Sequence, residues 1–91
     1  MLFVALCKAK ATSTAKERIA RRVNWTPGGQ AVAEYWLQTN DPAVITITET
    51  DDVGSIMRAM VEWDDVFDIT VFPAIAAEQG LQVASEMAKA A

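Results

Sequence analysis

The residues best suited to chemistry are two carboxylates in segments that read as β-strands. Glu34 lies two positions before Trp36, so a strand would place both side chains on one face. Asp68 lies in a later segment of strand composition. If Glu34 and Asp68 faced the space between two sheets, burial would raise their pKa values and suit them to acid–base work. Alternatively, they pair with threonine hydroxyls or with basic residues of a second copy, which would fix the register of a dimer.

A second candidate is an acidic cluster between a predicted helix and a predicted strand. It consists of Glu62, Asp64, Asp65 and Asp68. Carboxylate oxygens of this kind could hold a hard cation. The segment lacks a glycine-bearing loop of alternating ligands, however, and such clusters usually solvate a turn. The chain has no histidine and a single cysteine, Cys7, which excludes the usual zinc ligand sets. We therefore predict no metal site and no cofactor.

The three tryptophans could line a pocket for a flat apolar ligand, or they could pack in a core or an interface. Cys7 lies in an apolar segment and has no histidine to activate it, so we interpret it as a small buried hydrophobe rather than a nucleophile. We predict no catalytic residue. The candidate ligand-binding residues are Glu34, Trp36, Thr46, Trp63 and Asp68.

Composition limits the classes of function. The 91 residues are 52% apolar with a net charge of −4, and six of the eight basic residues lie within the first 22 positions. This basic segment, Lys8 to Arg22, could bind an anion, or it could be a solvated helix beside an acidic remainder. No aromatic residue is interleaved with these basic residues, which argues against nucleic acid. The apolar runs are too short to span a membrane, and lysines follow rather than precede the apolar start, so we expect a cytoplasmic protein.

The elements that must position these residues centre on residues 41–74. Residues 43–48 have strand composition, and residues 66–72 form a strand that we expect to stop at Pro73. Between them, residues 52–63 read as a helix capped by Asp51 or Thr50. Its predicted inner face is Val53, Ile56, Met57, Met60 and Val61.

The flanking segments complete the pattern. We predict a strand over residues 1–9 and a helix over residues 14–23, with Thr14 and Glu17 as a possible capping box. A strand over residues 30–37 joins the next one through the turn residues Asn40-Asp41-Pro42, which favours an antiparallel hairpin. The helix over residues 14–23 is expected to present Ala15, Ile19, Ala20 and Val23 inward, with Lys16, Arg18, Arg21 and Arg22 largely outward.

The predicted order is β-α-β-β-α-β plus a C-terminal helix, which is the ferredoxin-like α+β pattern with a four-stranded antiparallel sheet. We predict one domain over residues 1–91, with a core at 1–75 and a C-terminal helix at 76–91. The side chains expected against the helices are Ile45, Ile47, Phe67, Ile69 and Val71. Those expected on the outer face are Val32, Glu34, Trp36, Val44, Thr46, Thr48, Asp68, Thr70 and Phe72. This outer face is too apolar for water alone, so we predict a homodimer through it.

Residues 62–75, EWDDVFDITVFPAI, resemble the E-W-x-D-L-x-D-F-x-V-x-P-V-L signature of a family of short bacterial proteins of unknown function. The stretch Glu49-Thr50-Asp51-Asp52 is similar to the helix start of that family. The resemblance implies a dimeric α+β barrel of the ferredoxin-like group. Many members have R-W-H on the second strand, whereas this chain has Tyr35-Trp36-Leu37, so any role of that histidine is absent or replaced.

Three functions remain open from the sequence. We favour a non-catalytic module that binds a small molecule or a protein partner. The alternatives are a cofactor-independent monooxygenase- or isomerase-like enzyme, as the dimeric barrel group implies, and a purely structural role. A cavity of several hundred Å³ with Glu34 or Asp68 at its wall would favour the enzyme, whereas a filled space between the sheets would favour the other two functions.

Overall fold

The predicted order of helices and strands corresponds to the architecture of the protein. A computed structural model describes residues 1–90. Its elements are β1 (Leu2–Ala9), α1 (Ala15–Val23), β2 (Gln30–Trp36), β3 (Val44–Glu49), α2 (Val53–Trp63), β4 (Phe67–Ala74) and α3 (Ala77–Ala90). The order β-α-β-β-α-β-α confirms the α+β class and is that of a ferredoxin-like fold.

Side-chain caps set the starts of the first two helices. The Thr14 hydroxyl accepts a hydrogen bond from the backbone N–H of Glu17 at 3.2 Å, as predicted for the start of α1. The prediction for α2 was wrong by one residue, because Asp52 rather than Asp51 or Thr50 is its N-cap. The Asp52 carboxylate accepts from the backbone N–H of Gly54 at 2.9 Å and lies at the positive end of the helix dipole.

The four strands form one antiparallel sheet in the order β2-β3-β1-β4. Strands β2 and β3 are neighbours, which confirms the predicted hairpin. Strand β1 pairs with β3 on one side and β4 on the other, so β1 and β3 are central and β2 and β4 are the edges. Helices α1 and α2 lie over one face of the sheet, which we call the inner face; the opposite one is the outer face.

Strand β4 does not stop at Pro73, contrary to the prediction. It continues to Ala74, and Pro73 lies opposite Phe3 of β1. Proline lacks a backbone N–H and is tolerated on edge strands, where one side of the ladder is open. The position of β4 at the sheet edge therefore explains why Pro73 does not end it.

The register corrects the predicted faces of β3. Val44, Thr46 and Thr48 lie opposite Cys7, Ala5 and Phe3, and all six of these side chains line the inner face. Ile45 and Ile47 consequently lie on the outer face, although we expected them against the helices. The prediction for β3 was wrong because it assumed that the more apolar of the two alternating sets of side chains faces the helices. The prediction for β4 was right, since Phe67, Ile69 and Val71 lie on the inner face.

Strand β2 contains a β-bulge that changes its alternation. The register shifts between Ala31 and Ala33, so that Val32 is an extra residue against β3. As a result Ala31, Glu34 and Trp36 all line the inner face. The predicted outer position of Glu34 and Trp36 was therefore wrong, because simple period-two alternation does not hold across the bulge.

The buried core lies at one end of the layer between the helices and the sheet. It is formed by Cys7, Ala43, Trp63 and Phe67. The Trp63 ring contacts the Trp25 ring edge-on with centroids 5.5 Å apart, and its centroid lies 5.7 Å from that of Phe67. Such aromatic pairs add to the stabilisation gained from area burial. This end of the layer is filled by the large side chains.

The helix faces also differ from the prediction. In α1 the residues lining the inner side are Ala15, Arg18, Ile19 and Arg22, whereas Ala20 is exposed and Val23 is 74% exposed. In α2, Ile56 and Met60 face the sheet as predicted, but the other three predicted members, Val53, Met57 and Val61, are exposed. The apolar face of α2 is therefore wider than the part of it that packs toward the sheet.

Helix α3 has no buried residue. Its Leu81, Val83 and Met87 side chains are exposed, as is Ile75 just before it. An isolated helix of 14 residues is marginal in water, because most helix stability in proteins comes from packing. No helix within residues 1–90 combines the length and apolar character needed to cross a membrane.

Candidate functional site

A cavity of about 490 Å³ lies between the two helices and the inner face of the sheet. We call it the inner cavity. All four strands contribute to its floor and α1 and α2 to its walls. Ligand sites for small molecules typically enclose about 300–1,000 Å³. The inner cavity therefore has the size of a small-molecule site, beside the filled end of the same layer.

The inner cavity is predominantly apolar. Small side chains such as Ala5 and Ala31 leave room at its floor, and Ile56, Met60 and Val71 provide aliphatic surface. Aromatic surface comes from Trp25, Trp36, Trp63 and Phe67. Such a lining favours a ligand with an apolar, partly flat body.

One charged network crosses the cavity wall. The Arg22 Nε donates to the Glu34 Oε1 and Oε2 at 3.1 and 3.0 Å, and Arg22 Nη2 donates to Oε1 at 3.0 Å. The Trp36 indole N–H donates to Glu34 Oε2 at 2.7 Å. Both carboxylate oxygens of Glu34 are thus occupied. We call these three residues the Arg22–Glu34–Trp36 network.

The network sets the protonation state of Glu34. Partial burial by itself would raise the pKa of Glu34, but the hydrogen bonds from Arg22 and Trp36 outweigh this effect, so its pKa lies below the ordinary value. Arg22 is held in turn, because its Nη1 donates to the Trp25 carbonyl at 3.0 Å and its guanidinium lies 5.5 Å from the Trp25 ring centroid. Glu34 is therefore a structural anion rather than an available base.

A second arginine lines the cavity one helical turn earlier. Arg18 Nη1 donates to the Ser13 carbonyl at 3.1 Å and to the Ser13 hydroxyl at 2.9 Å. Its guanidinium carbon lies 5.8 Å from the Phe67 ring centroid. The contacts with Ser13 and Phe67 hold the Arg18 side chain at the cavity wall in a half-buried position.

Cys7 is the one thiol of the chain, and it is buried at the cavity floor. Burial, aided by the negative charge of Glu34, raises the pKa of the Cys7 thiol to about 11. The thiol is therefore protonated at neutral pH. A nucleophilic cysteine requires the opposite shift.

The structure brings four of the five predicted ligand-binding residues to the inner cavity: Glu34, Trp36, Thr46 and Trp63. Asp68 is exposed on the outer face, where its carboxylate lies 3.7 Å from the Lys10 Nζ. The idea that Glu34 and Asp68 share one space was wrong, because they lie on opposite faces. Arg18 and Arg22 also line the cavity, although both were predicted to point largely outward. Their spacing of four residues beside Ile19, on one helical face, is the signal that could have located them.

The carboxylates of the acidic cluster do not face a common point at which a cation could bind. Asp65 accepts from Arg21 Nη1 at 2.8 and 2.9 Å, which lowers the pKa of Asp65. The Glu62 carboxylate accepts from the Trp25 indole N–H. Within residues 1–90, no three histidine, cysteine or acidic side chains are grouped closely enough to hold a metal ion. The cluster instead ties α1 and Trp25 to the end of α2.

The fold and the site together define a ferredoxin-like α+β protein with an apolar cavity between its helices and its sheet. A family model described as a domain of unknown function, DUF3303, matches residues 1–88, and the chain belongs to this family. Neither the curated proteins nor the solved structures gave a match.

Proposed function

We propose that this protein is a non-catalytic homodimeric module that binds a small apolar molecule in the inner cavity. The observation that carries the proposal is the cavity itself, about 490 Å³ of mostly apolar space within a chain of 91 residues. The cavity is partly open to solvent, and lining side chains such as Ile19 and Trp36 are exposed at its rim. A ligand that fills the space would remove this apolar surface from water, which is favourable.

The state of the polar groups supports binding rather than catalysis. Glu34 has both oxygens in hydrogen bonds, and its pKa is lowered, which makes it a weak base. The Cys7 thiol is protonated at neutral pH. A cavity of this size with Glu34 at its wall is what we expected of a cofactor-independent monooxygenase- or isomerase-like enzyme, so the size of the cavity alone favours that alternative. The hydrogen bonds that occupy Glu34 argue against it. That alternative requires Glu34 to leave Arg22 and Trp36 before it can accept a proton.

The homodimer is supported by the outer face of the sheet. Strands β1 and β3 place Val4, Leu6, Ile45 and Ile47 there, and the edge strand β4 adds Phe72. Helices α1 and α2 line the inner face, and α3 has no buried residue. On the outer face Val4, Leu6, Ile45 and Ile47 are only partly buried, and Phe72 is 48% exposed. A two-fold axis through this face would bring the same apolar surface of two copies together. The exposed Leu81, Val83 and Met87 of α3 offer further area to the same partner.

Ligand binding is tested by native mass spectrometry of protein purified gently from its expression host. We expect a constant mass above that of the polypeptide. Ala59→Phe should reduce this retained mass because the added ring fills the cavity that Ala59 lines. The matched control is Val61→Phe, because Val61 is 69% exposed on the same helix. Protein without any additional mass, which also fails to bind apolar probes, would refute the ligand proposal.

Dimerisation is tested by sedimentation velocity over a range of concentrations. Ile47→Asp places a charge on the outer face of a central strand, and we expect it to weaken dimerisation by at least about a hundredfold. Val61→Asp introduces the same charge at an exposed helical position and should leave the dimer intact. A wild-type protein that stays monomeric at all concentrations would refute the homodimer and leave the cavity proposal standing.

A further inference from the structure

The charges that line the inner cavity do not balance. Its lining contains three ionisable groups that are charged at neutral pH, namely Arg18, Arg22 and Glu34. Two positive charges and one negative charge leave a net charge of +1, while the remaining lining is apolar or neutral. A cation beside apolar walls is poorly hydrated, so an anion that reaches it gains more than it would in open water.

The two arginines differ in what they already bind. All three guanidinium nitrogens of Arg22 donate, in three contacts with Glu34 and one with the Trp25 carbonyl, and the Glu34 carboxylate balances its charge. Arg18 uses only Nη1, and both of its acceptors belong to Ser13, which is uncharged. No carboxylate within residues 1–90 lies within 4.0 Å of the Arg18 guanidinium. Arg18 is therefore the source of the unbalanced charge, and its Nε and Nη2 donors have no acceptor in the described chain.

We infer that the ligand of the inner cavity is a small apolar monoanion, such as an aromatic carboxylic acid, whose carboxylate is bound by Arg18. This inference rests on the proposed function, because it names the class of molecule that the cavity takes. Arginine presents planar N–H donors that match a carboxylate, and such charge-assisted hydrogen bonds are about twice as strong as neutral ones. The apolar body of the ligand would contact the aromatic and aliphatic walls already described.

Other charge types fit the lining less well. A cationic ligand would need Glu34, whose oxygens are occupied by Arg22 and Trp36. A dianion such as a phosphate ester would leave one charge without a partner near the Glu34 carboxylate. A neutral ligand would leave Arg18 without a counter-charge. A monoanion is the one type that brings the lining to neutrality.

The inference is tested by isothermal titration calorimetry with two probes of nearly equal shape, 2-naphthoate and its neutral amide, 2-naphthamide. The wild-type protein should bind naphthoate about ten- to a hundredfold more tightly than naphthamide at neutral pH, as expected for a hydrogen-bonded charge pair. Arg18→Gln should reduce naphthoate affinity to near that of naphthamide and leave naphthamide affinity unchanged. Lys16→Gln removes the same charge from the same helix outside the cavity lining, so it should preserve the preference.

Two further measurements keep the test decisive if Arg18→Gln fails to fold. Arg18→Lys keeps the charge but not the planar donors, so it should retain part of the preference. In the wild-type protein, added salt should weaken naphthoate binding more than naphthamide binding. Equal affinity for both probes, or a preference that Arg18→Gln leaves intact, would overturn the monoanion inference while the binding proposal stands. Failure of both probes to bind would count against the proposed function as well.

Discussion

The two faces of the sheet differ in a way opposite to the usual expectation. The inner face is covered by α1 and α2, yet it carries Thr46, Thr48 and Glu34 and encloses a cavity. The outer face is not lined by α1 or α2, yet its central strands carry aliphatic side chains that are only partly buried, including Ile45 and Ile47. In most sheets with helices on one side, the covered face is the more apolar one. This difference is the reason for our two proposals, a ligand for the inner face and a second copy for the outer face.

The largest expected effect is a difference in stability between alanine variants of two phenylalanines of strand β4. Phe67 is 6% exposed on the inner face of β4, and Phe72 is 48% exposed on its outer face. Phe67→Ala should lower the free energy of unfolding by about 3–5 kcal/mol, because it removes a ring from the buried cluster of Cys7, Ala43, Trp63 and Phe67. Phe72→Ala should cost less than about 1 kcal/mol at protein concentrations where the chain is monomeric.

Urea denaturation at a low and a high protein concentration measures both variants. The wild-type midpoint should rise with concentration, since dimerisation stabilises the folded state, and Phe72→Ala should flatten this dependence. Phe67→Ala should keep the dependence and shift both midpoints downward. If both variants lost the same free energy of unfolding at low concentration, the two faces would be equally packed in the monomer. That result would contradict the difference between the faces described above.

A smaller effect concerns thiol reactivity. Because the pKa of Cys7 is raised from 9.0 to about 11, its thiolate fraction near pH 8 should be about a hundredfold below that of an unperturbed thiol. Alkylation by iodoacetamide should therefore be at least that much slower in the folded protein than in urea, at every protein concentration. The rates can be followed by mass spectrometry of the intact chain.

An outer-face thiol provides the matching control. In the double variant Cys7→Ser/Thr70→Cys, the new cysteine lies opposite Leu6 on the outer face. Its alkylation should be fast at low concentration and slow where the dimer forms. Fast alkylation of Cys7 in the native wild-type protein would contradict the burial described for the inner face.

The smallest effect comes from the Arg22–Glu34–Trp36 network. Glu34→Gln should lower the free energy of unfolding by about 1–2 kcal/mol at neutral pH, because it replaces charge-assisted hydrogen bonds in a partly buried site. The pKa of Glu34 is lower in the folded than in the unfolded chain, so its contribution is present above the unfolded value near 4.5. That contribution is lost as the pH falls through the lowered folded value.

Denaturation at a series of pH values checks this sign. The difference in stability between the wild-type protein and Glu34→Gln should be constant from neutral pH down to about 5 and should shrink below the ordinary glutamate pKa. Arg58→Gln is the control, because the Arg58–Asp52 ion pair is exposed and should contribute little. A difference that grows on acidification would mean that the pKa of Glu34 is raised rather than lowered.

Local chemistry made much of the fold predictable. Thr14 is a strong N-cap, Asn40-Asp41-Pro42 is a turn, and the changes in hydrophobic period separate helices from strands. These features determine the element order, and the order with its connection lengths favours the ferredoxin-like arrangement. They act within a few residues, so a single chain shows them directly.

The faces of the sheet were not predictable in the same way. Alternation divides the side chains of β3 into two sets but does not show which set faces the helices. In this protein the more apolar set, Ile45 and Ile47, faces away from them. The bulge at Val32 then inverts part of β2. Arg18 and Arg22 lie inward because an aliphatic stem can follow an apolar surface to a polar partner. The cavity depends on how the two helices pack on the sheet, and the local sequence patterns that predict single helices and strands do not determine that packing.

Both edges of the sheet carry an interruption, the bulge between Ala31 and Ala33 on β2 and Pro73 on β4. An open edge strand is a template on which another strand can add, and repeated addition leads to fibrils. A bulge twists the edge away from such an incoming strand, and a proline removes one of the donors that it would need. The sheet is thus protected against sideways growth while its outer face stays apolar. If two copies associate through the outer face, as we propose, the assembly would therefore end after one step instead of growing along the sheet edges.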